Sequence, residues 1–425
     1  MQDTSALDID LTAIDHNMAA IRRVVGERCA LCPIVKADAY GLGVTRVARR
    51  LAAAGADMLA VYSLRQAIET AAAVNGSTPV LVLMPVQGIA REDELARLML
   101  AGQLHLVAHD EANLAALEAC AESLGVTLPV HVEVDLGMSR GGAHPDEASR
   151  MVRAIHTSRR LELRGIFGHF SHSRSDAART ETQMATYESL VEANRRFMPA
   201  DAYEHVASTY ALARGTRFHR SMVRFGLAWM GYGLDELECD APVLAREALR
   251  PAVRWTSSIV QAKEVPLGTS VGYGGRWTAE RRSTIALVPV GYADGYPVPR
   301  QPSAVGGQSI GVRTPTGELR YAPVVGAVNM DQITVDVTGL HHGDPHEWIG
   351  CEAELVGRDH AAPNHLPRVA AQSGLIVHEF LTRLNPRIAR TTSVGAGSST
   401  GLGGVTSVVT VRVVDDAPRP SVAAG

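Results

Sequence analysis

Eight short apolar runs rich in β-branched residues recur through the first half of the chain. Between them lie amphipathic stretches rich in Ala, Leu, Glu and Arg at helical spacing. Apolar strands that alternate with such helices indicate a parallel sheet covered on both faces. Eight units in about 220 residues favour a (β/α)8 barrel. An open doubly wound sheet is the alternative, but no G-x-G-x-x-G motif follows the first run. The predicted strands are Leu31–Val35, Met58–Val61, Pro79–Met84, Leu104–Val107, Pro129–Val134, Leu163–Phe167, Tyr203–Ala207 and Met222–Met230.

The pattern changes after about residue 240, where runs typical of strands are broken by Gly and Pro. We therefore predict a second, mainly antiparallel β domain. The barrel would span residues 12–238 and the β domain residues 239–392, with a strand over residues 6–11 joining the β domain. Residues 393–425 begin with a Gly- and Ser-rich segment and are predicted to form a flexible tail. A helical stretch over Leu366–Leu384 interrupts the predicted strands Val253–Ala262, Ser270–Tyr273, Thr284–Val290, Ser309–Arg313, Val324–Val337 and Glu354–Val356.

The composition argues against several classes of protein. A hydrophobic content of 46% and a net charge of −4 indicate a packed protein, not a disordered chain or a basic nucleic-acid surface. No apolar run approaches the roughly 18–20 residues of a membrane helix, and we see no signal peptide. The five cysteines are scattered, so we expect free thiols in the cytoplasm. Cys29 and Cys32 form a C-x-x-C pair, for which core packing is favoured over redox or metal binding.

One lysine stands out at the end of the first predicted strand. Of 41 basic residues only Lys36 and Lys263 are lysines, a depletion that codon bias explains. Arginine keeps its proton, whereas lysine can lose it and form an imine. In a barrel the chemistry lies where strands run into the following loops. Those positions carry a set suited to an anionic, carbonyl-bearing ligand such as pyridoxal phosphate, namely Lys36, Arg140, His169, Ser208, Thr209, Arg224 and Gly226.

The segment Val35–Gly43, which reads VKADAYGLG, resembles the cofactor-lysine motif of the alanine racemase family. A nine-residue match of this kind is highly specific. The resemblance spans roughly residues 8 to 390, in order and with the expected spacing. It continues through Asp135–Arg140, Gly168–Phe170, Met222–Gly226, Val271–Gly275, Gly291–Gly295 and Asn329–Gln332.

The resemblance implies a pyridoxal-phosphate-dependent racemase that works with two opposed bases. Lys36 would hold the cofactor covalently and then serve as the base on the D side. Tyr273 would be the base on the other face. A free tyrosine titrates near pH 10, so this role needs nearby positive charge. The family places His169 beside this tyrosine and Arg224 against the pyridine nitrogen. Because arginine does not give up its proton, that nitrogen would stay unprotonated.

The resemblance also assigns the remaining binding positions, with some departures from the family pattern. No residue is expected to bind a metal. Glu133 stands where some relatives have a carbamylated lysine, and its carboxylate could supply the same charge to Arg140. Three other departures leave substrate breadth open. Ser208-Thr209 replaces the Asn-Ser pair of many relatives, Asn329 replaces Cys, and Pro386 aligns near a Tyr that supports the cofactor lysine and phosphate in some relatives. The implied phosphate-binding residues are Tyr40, Ser208, Thr209, Gly226 and Leu227, and the implied substrate positions are Arg140, Tyr292, Met330 and Asp331.

Three functions fit these observations. The first is racemisation of alanine, which would supply D-alanine for peptidoglycan. The second is a broader racemase of Ser, Lys or Arg on the same fold. The third is a non-catalytic pyridoxal-phosphate homeostasis protein, which the second domain with its Tyr273 motif disfavours. The family implies a head-to-tail homodimer with shared active sites, and we expect no nucleic-acid or membrane partner.

Overall fold

The chain forms two compact units in the computed structural model. Among the described residues, one unit lies within 13–251, and the other combines residues up to 12 with those between 252 and 394. The segment 239–251, which the sequence prediction assigned to the second domain, belongs to the first unit. It packs there because Asn17 Nδ2 donates to the Arg250 carbonyl over 2.8 Å and Arg23 pairs with Glu247. The predicted tail from residue 395 lies outside the described residues, which are 4–89, 93–234, 237–240, 242–299 and 307–394.

Eight parallel strands form the first unit, after an initial strand, β1 (Ser5–Asp10), that belongs to the second. All seven residues of the fifth barrel strand are buried, as expected when helices cover the outside and side chains fill the inside. The strands are β2 (Ala30–Pro33), β3 (Leu59–Val61), β4 (Val80–Val82), β5 (Leu104–Ala108), β6 (Leu128–Val134), β7 (Leu161–Gly168), β8 (Tyr203–His205) and β9 (Met222–Phe225).

Hydrogen bonds close these strands into a ring. Strands β3 to β8 form one continuous sheet, and β2 pairs with β9. The Val35 amide donates to the Ala60 carbonyl over 2.8 Å and joins β2 to β3. The Arg224 amide donates to the Ala207 carbonyl over 3.0 Å and joins β8 to β9. The predicted (β/α)8 barrel is therefore confirmed, but its last strand is shorter than predicted. The chain turns at Gly226 and continues as a 3-10 helix over Leu227–Met230.

Helices follow the strands, and polar side chains fix where several of them begin. Ser63, Asp110 and Asp176 each accept a hydrogen bond from the amide three residues later. Gly125, with φ of 68°, ends the helix that begins at Glu111. The helices of this unit are α1 (Leu11–Val25), α2 (Lys36–Gly41), α3 (Val44–Ala53), α4 (Leu64–Ala73), α5 (Asp93–Leu100), α6 (Glu111–Leu124), α7 (Pro145–Thr157), α8 (Ala177–Asn194) and α9 (Thr209–Arg214).

The second unit is built on a nine-stranded, mainly antiparallel sheet, as predicted. Its strand order is β11-β14-β17-β16-β15-β18-β10-β1-β19, in which β1 runs parallel to β19. The elements are β10 (Val253–Ser258), β11 (Gln261–Val265), β12 (Ser270–Val271), β13 (Trp277–Thr278), β14 (Ser283–Val288), β15 (Ser309–Arg313), β16 (Leu319–Val325), β17 (Ile333–Asp336), β18 (Glu352–Val356) and β19 (Ala389–Ser393), with helices α10 (Leu366–Gln372) and α11 (Val377–Thr382).

Three segments predicted as single elements are each two in the structure. The run Val253–Ala262 divides because β10 pairs with β18, whereas β11 pairs with β14. The run Val324–Val337 divides into β16 and β17 around a loop that begins at Gly326, where φ is 74°. The helical stretch Leu366–Leu384 divides at Gly374, where φ is 67°. Across the described part of the chain, no helix is long and apolar enough to cross a membrane.

Candidate active site

Lys36 begins a tight turn at the carboxyl end of β2. The next four residues, Ala37–Tyr40, all have φ between 52° and 59°. A left-handed turn costs roughly 1–2 kcal/mol for each residue with a side chain, so its surroundings must hold it. Asp38 Oδ1 accepts a hydrogen bond from the Val44 amide over 2.7 Å, and Ala39 and Tyr40 are buried. The turn thus brings both the lysine and the tyrosine of the motif to the mouth of the barrel.

Positive groups surround Lys36. Burial, and then the charge of Arg140, lower the pKa of the Lys36 amine below its usual value. Burial and then Arg224, Arg140 and Lys36 lower the pKa of His169 to about 3. His169 is therefore neutral at physiological pH, and the neutral Lys36 amine is favoured. Arg140 and His169 also line one small pocket together with Glu133.

Arg224 is held rigidly inside the barrel and is only 5% exposed. Its Nη1 donates to the His205 carbonyl over 2.6 Å, and Nη2 donates to the Gly168 carbonyl over 2.9 Å. Nη1 also lies 2.8 Å from His205 Nδ1. The guanidinium carbon stands 4.7 Å from the centre of the Phe167 ring. These contacts fix the plane of the guanidinium at the carboxyl ends of the strands.

The five residues expected to bind phosphate lie together at the adjoining strand ends. A side chain at Gly226 would place its Cβ 2.4 Å from the Tyr40 hydroxyl, so only glycine lets that phenol approach the backbone. Thr209 Oγ1 accepts a hydrogen bond from the Ala228 amide over 3.2 Å, next to Leu227. Ser208 directly precedes α9, which Thr209 begins. Burial raises the pKa of Tyr40, which keeps its hydroxyl a neutral donor.

Glu133 has a partner that the sequence did not indicate. Its Oε2 lies 2.8 Å from Nδ1 of His109, which follows the neighbouring strand β5, and both side chains are buried. The carboxylate shares a pocket with Arg140, but its close contact is with the histidine. A polar residue directly after a barrel strand was the only sequence signal for His109.

The second unit holds the other predicted site residues on exposed loops. Tyr273 stands in a 3-10 turn after Gly272, whose φ is 77°, and 78% of its side chain is exposed. The Tyr292 amide donates to the Asn329 carbonyl over 3.0 Å, which brings Tyr292 to the loop of Met330 and Asp331. Asp331 Oδ1 lies 3.3 Å from Nη2 of Arg387, another residue that the sequence did not single out.

The barrel residues fit the cofactor predicted from the sequence. The side chains of Lys36, Arg140 and Arg224 all act on His169, and Arg140 lines a pocket with the carboxylates of Glu133 and Asp135. Hydroxyl groups stand at the neighbouring strand ends. Such donors suit a phosphate and a phenolate, and the lysine amine suits an aldehyde. The described residues contain no group of His, Cys, Asp or Glu side chains that could hold a metal ion.

Comparison with known proteins agrees with this arrangement. Residues 9–233 match the alanine racemase N-terminal domain, and residues 252–392 match the alanine racemase C-terminal domain. The alanine racemase of Desulfovibrio desulfuricans is 32% identical over 387 residues, which cover 90% of this chain and 96% of the relative. That of Cutibacterium acnes is 33% identical over 389 residues, with 90% and 96% covered.

Solved structures show the same fold. The biosynthetic alanine racemase of Pseudomonas aeruginosa has a TM-score of 0.77 and 28% identity, covering 92% of this chain and 100% of its own. The structure from Bartonella henselae, an alanine racemase with covalently bound pyridoxal phosphate, has a TM-score of 0.74 and 23% identity, covering 92% and 100%. At that identity the second likeness concerns the fold alone. On the domain matches and the relatives above 30% identity, the chain belongs to the alanine racemase family.

Proposed function

We propose that this protein is an alanine racemase that interconverts L- and D-alanine with pyridoxal phosphate. The observation that carries the proposal is Lys36, a lysine whose pKa is lowered by burial and by Arg140, at the mouth of a barrel. Relatives named alanine racemase match 90% of the chain. When bound, the cofactor withdraws electrons from the substrate and makes the proton on its α-carbon removable.

The residues of the chain then have separate tasks. Lys36 Nζ holds the cofactor and, once released by the substrate, takes or returns a proton on one face of the α-carbon. Tyr273 Oη does the same on the opposite face, so that the proton returns with inverted geometry. Arg224 only donates hydrogen bonds, so it leaves the ring nitrogen unprotonated. Tyr40, Ser208, Thr209 and the backbone at Gly226 and Leu227 bind the phosphate.

Substrate binding falls to residues from both units. Arg140 steadies the substrate carboxylate, and Met330 and Asp331 contribute from the second unit. Tyr292 narrows the entrance. Tyr273, Tyr292 and Met330 are 78%, 48% and 54% exposed in the single chain. Tyr292 and Met330 lie on loops that are hydrogen-bonded to each other, and exposed apolar patches commonly mark interaction surfaces. We therefore assign these residues to the site of a second copy, in a head-to-tail homodimer.

The proposal also includes a cytoplasmic location and a use for the product. The five cysteines are free thiols, which suits the reducing cytoplasm. D-alanine made there would supply peptidoglycan synthesis.

The broader racemase is distinguished by its substrates. Asn329 Oδ1 is buried without a hydrogen-bond partner in the described structure, next to the loop assigned to the substrate carboxylate. Pro386 lies between Asn385, which donates to the Ala293 carbonyl, and Arg387, which pairs with Asp294. Both departures therefore stand beside the predicted entrance.

Analysis of D and L products over a panel of L-amino acids tests the proposal. Purified protein loaded with pyridoxal phosphate should racemise alanine fastest. Comparable rates with Ser, Lys or Arg would favour the broader racemase. Binding of the cofactor without racemisation of any amino acid would contradict the proposal and leave the homeostasis protein.

A further inference from the structure

Three buried histidines form a chain through the barrel that ends at Arg224. His105 Nδ1 lies 2.9 Å from His131 Nε2, and His131 Nδ1 lies 2.9 Å from His205 Nε2. His205 Nδ1 lies 2.8 Å from Arg224 Nη1. The chain runs from near the start of β5, through the middle of β6, to the end of β8. None of its side chains is more than 5% exposed.

The arginine dictates the direction of every hydrogen bond in this chain. A guanidinium only donates, so His205 Nδ1 must accept. A neutral imidazole that accepts at Nδ1 carries its proton on Nε2, and His205 therefore donates to His131 Nδ1. By the same reasoning His131 donates from Nε2 to His105 Nδ1. One fixed charge thus sets the same tautomer in all three rings.

The three histidine rings are neutral at physiological pH. Burial, followed by the charge of Arg164, lowers the pKa of His105 to about 4. Burial and neighbouring positive groups hold the pKa values of His131 and His205 well below the usual value. Three neutral rings satisfy one another without bringing a second charge beside Arg224. A buried carboxylate as partner would instead neutralise the guanidinium.

The hydrogen bonds of Arg224 show that the three histidines constrain the plane of its guanidinium. Its contacts in the described structure use Nη1 and Nη2, and His205 is the only side chain among the hydrogen-bond acceptors. Without the chain, His205 could adopt the other tautomer and turn an N–H toward Nη1. Two donors would then face each other, and the guanidinium would have to rotate away from its present plane.

We propose that His131 and His105 are positioning residues that, through His205, fix the orientation of Arg224 toward the ring nitrogen of the cofactor. The effect on the reaction products rests on the proposed function, whereas the hydrogen-bond geometry of the histidines and Arg224 does not. A misplaced Arg224 would allow that nitrogen to gain a proton. The cofactor would then withdraw more electron density, and protonation away from the α-carbon would produce pyridoxamine phosphate more often.

The direct test is the tautomer state. Long-range ¹H–¹⁵N NMR of the full chain with labelled histidine should show all three rings neutral with the proton on Nε2, both with and without pyridoxal phosphate. Assignments would come from single His→Gln variants. A proton on Nδ1 of His131 or His205 would overturn the proposal. Because this measurement needs no turnover, it stands even if the protein fails to racemise alanine.

The functional test removes the hydrogen-bond acceptor at position 131 and then restores it. In His131→Leu holoenzyme, pyridoxamine phosphate formed per racemisation should rise about tenfold, since the lost acceptor frees His205. His131→Asn keeps an oxygen near the Nδ1 position and should restore the ratio to within about threefold of wild type. His219→Leu is the matched control, because His219 is 4% exposed but bonds to the Leu212 carbonyl outside the chain.

The outcomes separate positioning from simple stability. An unchanged product ratio in folded, cofactor-loaded His131→Leu would overturn the proposal, as would an equal rise in His219→Leu. If His131→Leu does not fold, His105→Leu breaks the chain one ring farther from Arg224 and should raise the ratio less but in the same direction. An unchanged product ratio in His105→Leu would also contradict the proposal.

Discussion

The barrel and the β unit carry their functional groups in opposite ways. Arg224 and Glu133 in the barrel are 5% and 9% exposed and have fixed partners. Tyr273 in the second unit is 78% exposed. Burial is the first cause of the lowered pKa values of Lys36 and His169. The barrel therefore tunes its groups within one chain, whereas the described structure leaves the Tyr273 side chain open to solvent.

The greatest loss of activity is expected from replacing Lys36 in the barrel, and Lys263 in the second unit provides the comparison. Lys36→Ala should lower racemisation by about 10³-fold or more, since it removes both the cofactor attachment and one base. Lys263→Ala, at an exposed position of β11, should retain full activity. Borohydride reduction followed by peptide mapping should label Lys36. Labelling of Lys263 instead would show that the barrel mouth is not the active site.

The next effect concerns the exposed tyrosines. Tyr273→Phe should reduce activity about 10²–10³-fold while cofactor absorbance stays unchanged, because only the proton-transfer group is lost. Tyr292→Phe keeps a ring at the entrance and is the matched control, with an effect of about tenfold or less. Steady-state rates in both directions provide the measurement. Equal effects in the two variants would remove the special role of Tyr273.

The contrast between the units also explains what the sequence could predict. The barrel strands are continuous apolar runs, so their order and number could be predicted from local pattern, as could the strand-end positions of Lys36 and His169. In the β unit, the break between β10 and β11 arises because the chain changes partner strands. Local pattern does not encode that choice, and Val253–Ala262 was wrongly predicted as one strand.

Residues joined only by the fold could not be predicted. His109 and Glu133 come from different strands, and the three histidines of the buried chain are 26 and 74 positions apart. A polar residue within an apolar strand, as in Val130-His131-Val132, indicates a buried histidine that needs a partner. The sequence does not say which partner, because that follows from strand register around the barrel.

A smaller effect is expected at Glu133. Glu133→Gln should lower activity up to about tenfold and weaken cofactor binding less, since it removes a carboxylate from the pocket that Arg140 lines. Added bicarbonate should not restore activity. Glu162→Gln, at an exposed position of β7, is the control. Kinetics together with cofactor titration would test this, and wild-type activity in Glu133→Gln would leave the carboxylate without a role.

The smallest effect is on stability in acid. The folded-state pKa of His105 is about 4 and that of His169 about 3, both below the usual 6.5. The unfolded chain therefore binds more protons below pH 6.5, and the free energy of unfolding should fall as pH drops from 6.5 toward 4, by up to ~1.4 kcal/mol per pH unit for each histidine. Denaturant titrations at several pH values should show that the free energy of unfolding changes less with pH in His105→Leu than in the wild type. His156 lies at an exposed site. An equally weak pH dependence in His156→Leu would contradict the view that buried histidines cause the loss of stability in acid.

Mixed dimers would show whether the exposed Tyr273 of one copy completes the buried site of another, as we propose. Lys36→Ala and Tyr273→Phe chains should each be nearly inactive alone. In a mixed dimer one site carries both defects and the other neither, so random reassortment should return roughly a quarter of wild-type activity. Distinct affinity tags would verify that mixed dimers form. Mixed dimers that form and stay inactive would contradict the claim.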